Sequence, residues 1–249
     1  MKKTILAMAS LAAFTVHAQA TDVSSNYGDW TGASISAIGG YGWGESNASP
    51  AGVMVSENPD TSADLKGWNA GASIGYDVQS SSGLVIGAVT DFIIPSLMGD
   101  ACIEESGCEL DGPDDTGADN SYSETDVDWI STVRLRAGMP MGDALIYATG
   151  GLAFAKVTAG ITNFDDENSP TLSESNTHLG YAVGAGFEQR LSDNMTVGIE
   201  YLYVNLGEER YDFSSEVGDL DDLYLPEGVI GADGDLSANL IRAKISFRF

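Results

Sequence analysis

Trp68-Asn69-Ala70-Gly71-Ala72-Ser73-Ile74-Gly75-Tyr76-Asp77-Val78 sorts its residues by parity. Trp68, Ala70, Ala72, Ile74, Tyr76 and Val78 share one set, and Asn69, Gly71, Ser73, Gly75 and Asp77 share the other. Successive side chains of a strand point to opposite faces, so the stretch predicts a strand with one apolar face and one small, polar face.

The same period recurs outward from this stretch in both directions. Eight such segments, rich in Gly, Ala, aromatic and β-branched residues, fall at about 30–43, 67–78, 84–94, 128–138, 144–156, 177–190, 195–206 and 237–249. None holds a helical period, and prolines stay out of their interiors. Connections after the second, fourth and sixth segments are tight: Gln79–Gly83, Met139–Asp143 and Leu191–Asn194. Those after the first, third, fifth and seventh are long and polar. A soluble sandwich has no reason to sort its loops by length. A barrel spanning an outer membrane does, with short turns in the periplasm and long loops outside. The reading is all-β: an eight-stranded antiparallel up-and-down transmembrane β-barrel with long extracellular loops and short periplasmic turns.

The faces carry the argument further. Asp77, Asp91, Arg134, Arg136, Glu188, Arg190, Glu200, Arg242, Lys244 and Arg248 all take the face opposite the large apolar side chains. That face is also rich in glycine, which suits the cramped inside of an eight-stranded barrel. The apolar face then meets lipid. Tyr41, Trp43, Trp68, Tyr76, Trp129, Tyr181, Phe187, Tyr201, Tyr203 and Phe247 are the candidates for its lipid-facing surface and interfacial girdles. In the fifth segment Ile146, Leu152 and Phe154 go to lipid with Lys156 at the outer rim, and Leu145, Tyr147 and Thr149 go to the lumen. Asp91, Arg134, Arg136, Glu188, Glu200, Arg242 and Lys244 are expected to form a lumen charge network, centred on Glu200 with Arg134, Arg136 and Arg242. The rival is a charged constriction in a water-filled channel, but eight strands leave little room for one.

Eleven Lys and Arg against 37 Asp and Glu give a net charge of −26. Of the 37 acids, 29 lie in the spans 44–66, 95–128, 157–176 and 207–236, offset there only by Lys66 and Arg210. The charge belongs to one end of the molecule, and such a field excludes nucleic acid as a partner. Asp111, Asp114, Asp115, Asp221, Asp222, Asp233 and Asp235 offer oxygen ligands on loops, yet the EF-hand spacing with its closing Glu is absent. The expectation is hydrated loops bridged to neighbouring lipopolysaccharide by divalent ions, with no cofactor assigned.

Residues 1–20 read as a cleaved secretory signal peptide: Lys2 and Lys3, an apolar run from Thr4 to Val16, then Ala18-Gln19-Ala20. Residues 21–249 remain as the barrel domain, with a charge of −28 once the two leader lysines are gone. No other run is long enough for a spanning helix. Cys102 and Cys108 share one acidic loop, and in an oxidising compartment a local disulfide between them is expected.

Trp30-Thr31-Gly32 with Gly39-Gly40-Tyr41-Gly42-Trp43-Gly44 resembles the first strand of the OmpA-like small outer-membrane β-barrels, of the porin-family surface-antigen type. Val133-Arg134-Leu135-Arg136-Ala137-Gly138, Tyr147 to Phe154, Gly184 to Glu188 and Glu200 to Gly207 are similar to later strands of that family. The ending Ile245-Ser246-Phe247-Arg248-Phe249 resembles its C-terminal assembly signal, with Phe249 as the terminal aromatic. The resemblance implies a Gram-negative outer-membrane location and lipid and lipopolysaccharide as surroundings. It also implies periplasmic chaperones in transit and recognition of the last strand by the barrel-assembly machinery.

The functional expectation is a structural envelope barrel or a weak porin for small solutes. Loop-mediated binding (adhesion, divalent cations or haem) is the alternative, with the loop ligand unnamed. For haem, His178, the methionines and Tyr211 are the only axial candidates. A lipid-A-modifying enzyme ranks last, because His178 near Ser173 and Ser175 lacks an orienting acid and an oxyanion site.

Overall fold

The computed structural model describes residues 28–51, 61–96, 98–102, 121–163, 172–212 and 231–249. The leader, Cys108 and the loop acids Asp111, Asp114, Asp115, Asp221 and Asp222 lie outside the described residues. Among the described residues nine strands follow in chain order: β1 (Gly32–Ala51), β2 (Thr61–Gln79), β3 (Val85–Pro95), β4 (Met98–Cys102), β5 (Ser121–Met141), β6 (Ala144–Asn163), β7 (Leu172–Arg190), β8 (Met195–Asp212) and β9 (Gly231–Arg248). All pairings are antiparallel, and β1 pairs with both β2 and β9, so the sheet closes. β3 and β4 are two pieces of one stave, each lying between β2 and β5. The break follows Pro95, which cannot donate to a ladder. The result is a closed, eight-stave, up-and-down barrel.

Strand number and stagger together set a barrel's width. Cα partners traced from Gly44 through Ala238, Val204, Ala182, Gly151, Arg134, Val89 and Gly75 return to β1 at Ser34. One circuit therefore slips ten residues, from 44 to 34. For eight staves spaced about 4.8 Å apart, that slip means a tilt of about 40° and an interior that side chains can fill. Strong coiling also presses backbone against bare Cα positions. A Cβ on Gly151 would lie 2.1 Å from the Val133 carbonyl oxygen, and one on Gly40 would lie 2.2 Å from that of Ile241.

The outer surface inverts the pattern of a soluble protein. Leu135 is 69% exposed, while Arg134 beside it is buried. Ile146 and Leu152 of β6 point out, and Leu145, Tyr147 and Thr149 point in. Toward the loop end the aromatic residues pair on the outer face: Tyr41 with Trp68 at 5.3 Å, Phe92 with Trp129 at 5.8 Å and Tyr181 with Tyr203 at 6.3 Å between centroids. Trp43 and Tyr201 are exposed on the same face. Tyr76, Phe187 and Phe247 face out nearer the turns, where Phe247 meets Phe249 edge-on at 5.1 Å. Rings at the edges of an apolar band are the interfacial girdles of a membrane barrel. Lys156 stands at the outer edge of this band and binds Asp128 at 2.5 Å, where β5 bulges between Val127 and Trp129.

Two expectations about extent are corrected. The strands run well past the amphipathic segments, from Trp43 to Ala51 in β1 and from Ser237 back to Gly231 in β9. The added residues are mostly small or polar, so the alternation loses contrast while the hydrogen-bond ladder continues. Asp233 and Asp235 therefore belong to β9, opposite Arg210 and Glu208, and are not on a loop turn. At the other end, Trp30 precedes the first strand and is not part of it.

Gly151→Ala is expected to cost about 1–3 kcal/mol, the usual range for overpacking against rigid neighbours. Gly39→Ala, whose Cβ would meet nothing within 4 Å, should stay within about 0.5 kcal/mol. Urea unfolding from lipid vesicles measures both.

Candidate functional site inside the barrel

β2, β3, β5, β7, β8 and β9 each send at least one ionised side chain into the lumen, because each has a charge at the parity opposite its lipid-facing residues. The structure brings them together in two tiers. In the upper tier Arg134 Nη2 lies 2.7 Å from Asp91 Oδ2 and 3.2 Å from Glu200 Oε1. Arg242 Nη2 lies 3.1 Å from Asp91 Oδ2 and also binds Glu200. Thr132 Oγ1 donates to Asp91 at 2.9 Å and accepts from Arg134 Nε at 2.8 Å.

In the lower tier Arg136 binds both oxygens of Asp77 and donates from Nη1 to Glu188 at 2.8 Å. Lys244 Nζ reaches the same Glu188 oxygen at 2.5 Å, and Arg248 Nη1 reaches Asp77 at 3.1 Å. Tyr147 joins the tiers: its hydroxyl donates to Glu200 at 2.8 Å and accepts from Lys244 at 3.1 Å. Its ring also lies under Arg136, at 5.1 Å from the guanidinium carbon. Each ionised side chain in both tiers is at most 6% exposed. Five cations face four carboxylates, and every one of the nine has an opposite partner.

The expected centre needs one correction. Arg136 does not reach Glu200; it is committed to Asp77 and Glu188, a step nearer the turns. Arg134 and Arg136 are two residues apart on one tilted strand, so they serve different levels. The sequence reading also missed Tyr147 and Thr132 as members. A lumen-facing aromatic among small residues was the available signal for Tyr147.

A second correction concerns what lies above the ions. The lumen face was expected to be small and charged, but toward the loop end it turns largely apolar. Ile93 follows Asp91 on β3, Leu202 follows Glu200 on β8, and Leu240 precedes Arg242 on β9. With Leu65, Val127, Ile130, Val204, Leu206 and Leu236 they form one buried cluster. His178 is buried on the lumen face. Ser175 is exposed on the opposite face, bonded to Thr158 at 2.8 Å, so Ser175 and His178 do not form a catalytic pair. Among the described residues no three His, Cys, Asp or Glu side chains form a group that could hold a metal ion.

A closed barrel with greasy walls and an ionised interior has counterparts among known proteins. Residues 6–249 match the family described as outer membrane protein beta-barrel domain. The chain belongs to that family. It is an outer-membrane protein. It is 33% identical over 183 residues to the 31 kDa outer-membrane immunogenic protein of Brucella melitensis, covering 72% of each chain. It is 26% identical over 227 residues to the 25 kDa outer-membrane immunogenic protein of Brucella abortus, covering 86% of this chain and 89% of that one. Among solved structures, the outer membrane protease OmpT of Escherichia coli aligns over 87% of this chain and 97% of its own, with a TM-score of 0.52 at 11% identity. That likeness concerns the fold alone.

Removing one member of a buried ion set strands its partners. Arg242→Met, which leaves Asp91 and Glu200 to share Arg134, is expected to cost about 3–5 kcal/mol of unfolding free energy. Adding Glu200→Gln should recover part of that loss, and the pair should show a coupling above about 0.5 kcal/mol in a double-mutant cycle.

Proposed function

We propose that the protein is a structural, non-conducting barrel of the outer membrane whose acidic extracellular loops are its working surface. The observation that carries this reading is the stacked filling of the lumen. Two ionic tiers span the middle, and an apolar cluster lies above them. A conducting pore would need a continuous wet path, and an eight-stave barrel with a ten-residue slip leaves its interior to side chains. Paired ions of this kind fill space and fix register; they are not mobile pore charges.

The same reading gives Phe249 the role of the assembly signal. It is exposed on the lipid side, edge-on to Phe247. Before closure the apolar face would be open to water, which is why chaperones in the periplasm are assigned as transit partners. On the outside the carboxylate-rich loops meet lipopolysaccharide, with divalent ions as the bridge between two anionic surfaces.

Planar-bilayer recording of the refolded protein tests the central point. The expected outcome is no stable open-channel step with the native chain. Heat-modifiable migration of the same preparation shows that the barrel under test is folded. Steady porin-sized conductance from the native chain would replace this reading with that of a pore.

A further inference from the structure

Residues 28–31 cross the turn end of the barrel without joining the sheet. Trp30 in this segment is completely buried. Its backbone N–H donates to Gln79 Oε1 of β2 at 2.8 Å, and its backbone carbonyl accepts from Arg248 of β9. Arg190 of β7 and Arg248 lie over its ring, 4.7 and 5.2 Å from the centroid. Arg190 also donates to the Asp29 carbonyl at 2.8 Å, and the Gln79 N–H donates to Thr31 Oγ1 at 3.1 Å. Beneath the lower ionic tier the indole packs with Val85, Leu145 and Tyr147.

These partners come from the second, seventh and last strands, so the binding place for Trp30 exists only after the barrel has closed. We propose that residues 28–31 form a periplasmic strap, docked on the closed barrel, that supplies the lower seal of the lumen. The inference rests on the reading of the lumen as filled, and it adds that the two ends are sealed by different means. Above, the seal is made of strand residues such as Leu202 and Leu240 and cannot leave without unfolding the sheet. Below, the seal is a short segment outside the sheet, held by stacking, by hydrogen bonds and by Arg248, which also binds Asp77. Its release would admit periplasmic water to Asp77, Arg136 and Glu188 while the upper seal still held. The product is a blind vestibule and not a channel.

A buried lumen thiol reads the seal directly. Ser36 faces the lumen and bonds Ser246 at 2.8 Å, so Ser36→Cys in a chain carrying C102S and C108S reports access to the lower lumen. With the strap intact, a charged methanethiosulfonate should label it slowly in micelles. Trp30→Gly should raise the labelling rate at least about tenfold, as expected when a local cover is removed from a site gated by opening. Bilayer conductance should remain absent. Arg190→Gln, which keeps the indole and removes one stacking partner, should fall between and serves if Trp30→Gly does not fold. Heat-modifiable migration on detergent gels establishes that each variant is closed. Equal labelling of strap-intact and strap-altered closed barrels overturns the strap as a seal. Open-channel conductance from the strap-intact chain instead overturns the filled-lumen reading.

Discussion

In hydrocarbon no water is available to a backbone amide, so a sheet survives there only by closing on itself. Closure of this sheet fixes nearly everything else. The ten-residue slip around eight staves sets a tilt and a width, and the width dictates that the interior be packed with side chains. The glycines at positions 40 and 151 follow from the same coiling, since neighbouring carbonyls already occupy the space a Cβ would need. Lipid-facing residues answer a looser demand, for apolar surface between two rings of aromatic residues.

The lumen is filled by grade. Trp30 closes the turn end, ions occupy the middle and aliphatic side chains the loop end. Burying nine charges is not in itself stabilising, because desolvation takes back most of the Coulombic gain. What the network supplies is specificity. Arg136 can satisfy Asp77 and Glu188 together only when β2, β5 and β7 stand in their observed register. A two-residue shift of one strand would keep every side chain on its proper face, yet it would leave carboxylates stranded in a dry interior. Period-two alternation cannot forbid that shift; the ion pairs can.

The faces of the strands were legible in the sequence because charge and glycine fell on one parity and large apolar groups on the other, as at Trp68 to Val78. That signal fades wherever both faces meet the same medium. Beyond the girdle both faces of β1 and β9 are small or polar, so their continuation to Ala51 and back to Gly231 was invisible to alternation, and Asp233 and Asp235 were misplaced on a loop. In the upper lumen β8 is apolar on both faces, with Tyr201 and Tyr203 outward and Leu202, Val204 and Leu206 against the opposite wall, so Leu202 gave no contrast either. The partners within the ionic network were legible only as a pool. Parity placed Arg134 and Arg136 inside, but tilt assigns them to different levels, and tilt is a property of the closed sheet and not of one strand. Trp30 looked like the start of a strand because nothing in its neighbours marks a segment that turns inward.

The extension of the strands beyond the girdle bears on what the loops can do. From Trp43 to Ala51 is eight residues, which at the barrel's tilt raises the loop bases by about 20 Å above the aromatic ring. The outer face of this collar carries like charges directly opposite one another, Glu45 facing Asp64 and Glu208 facing Asp235. Each such pair costs some fraction of a kcal/mol in a ladder. The barrel tolerates them because closure, and not cross-strand charge, holds the collar together. Carboxylates in this position keep the collar hydrated and repel polyanions that approach along its sides. The outer ends of the strands thus stand clear of the lipid headgroups on a stiff, charged collar, while the ionised groups that fix the register lie beneath the apolar cluster within.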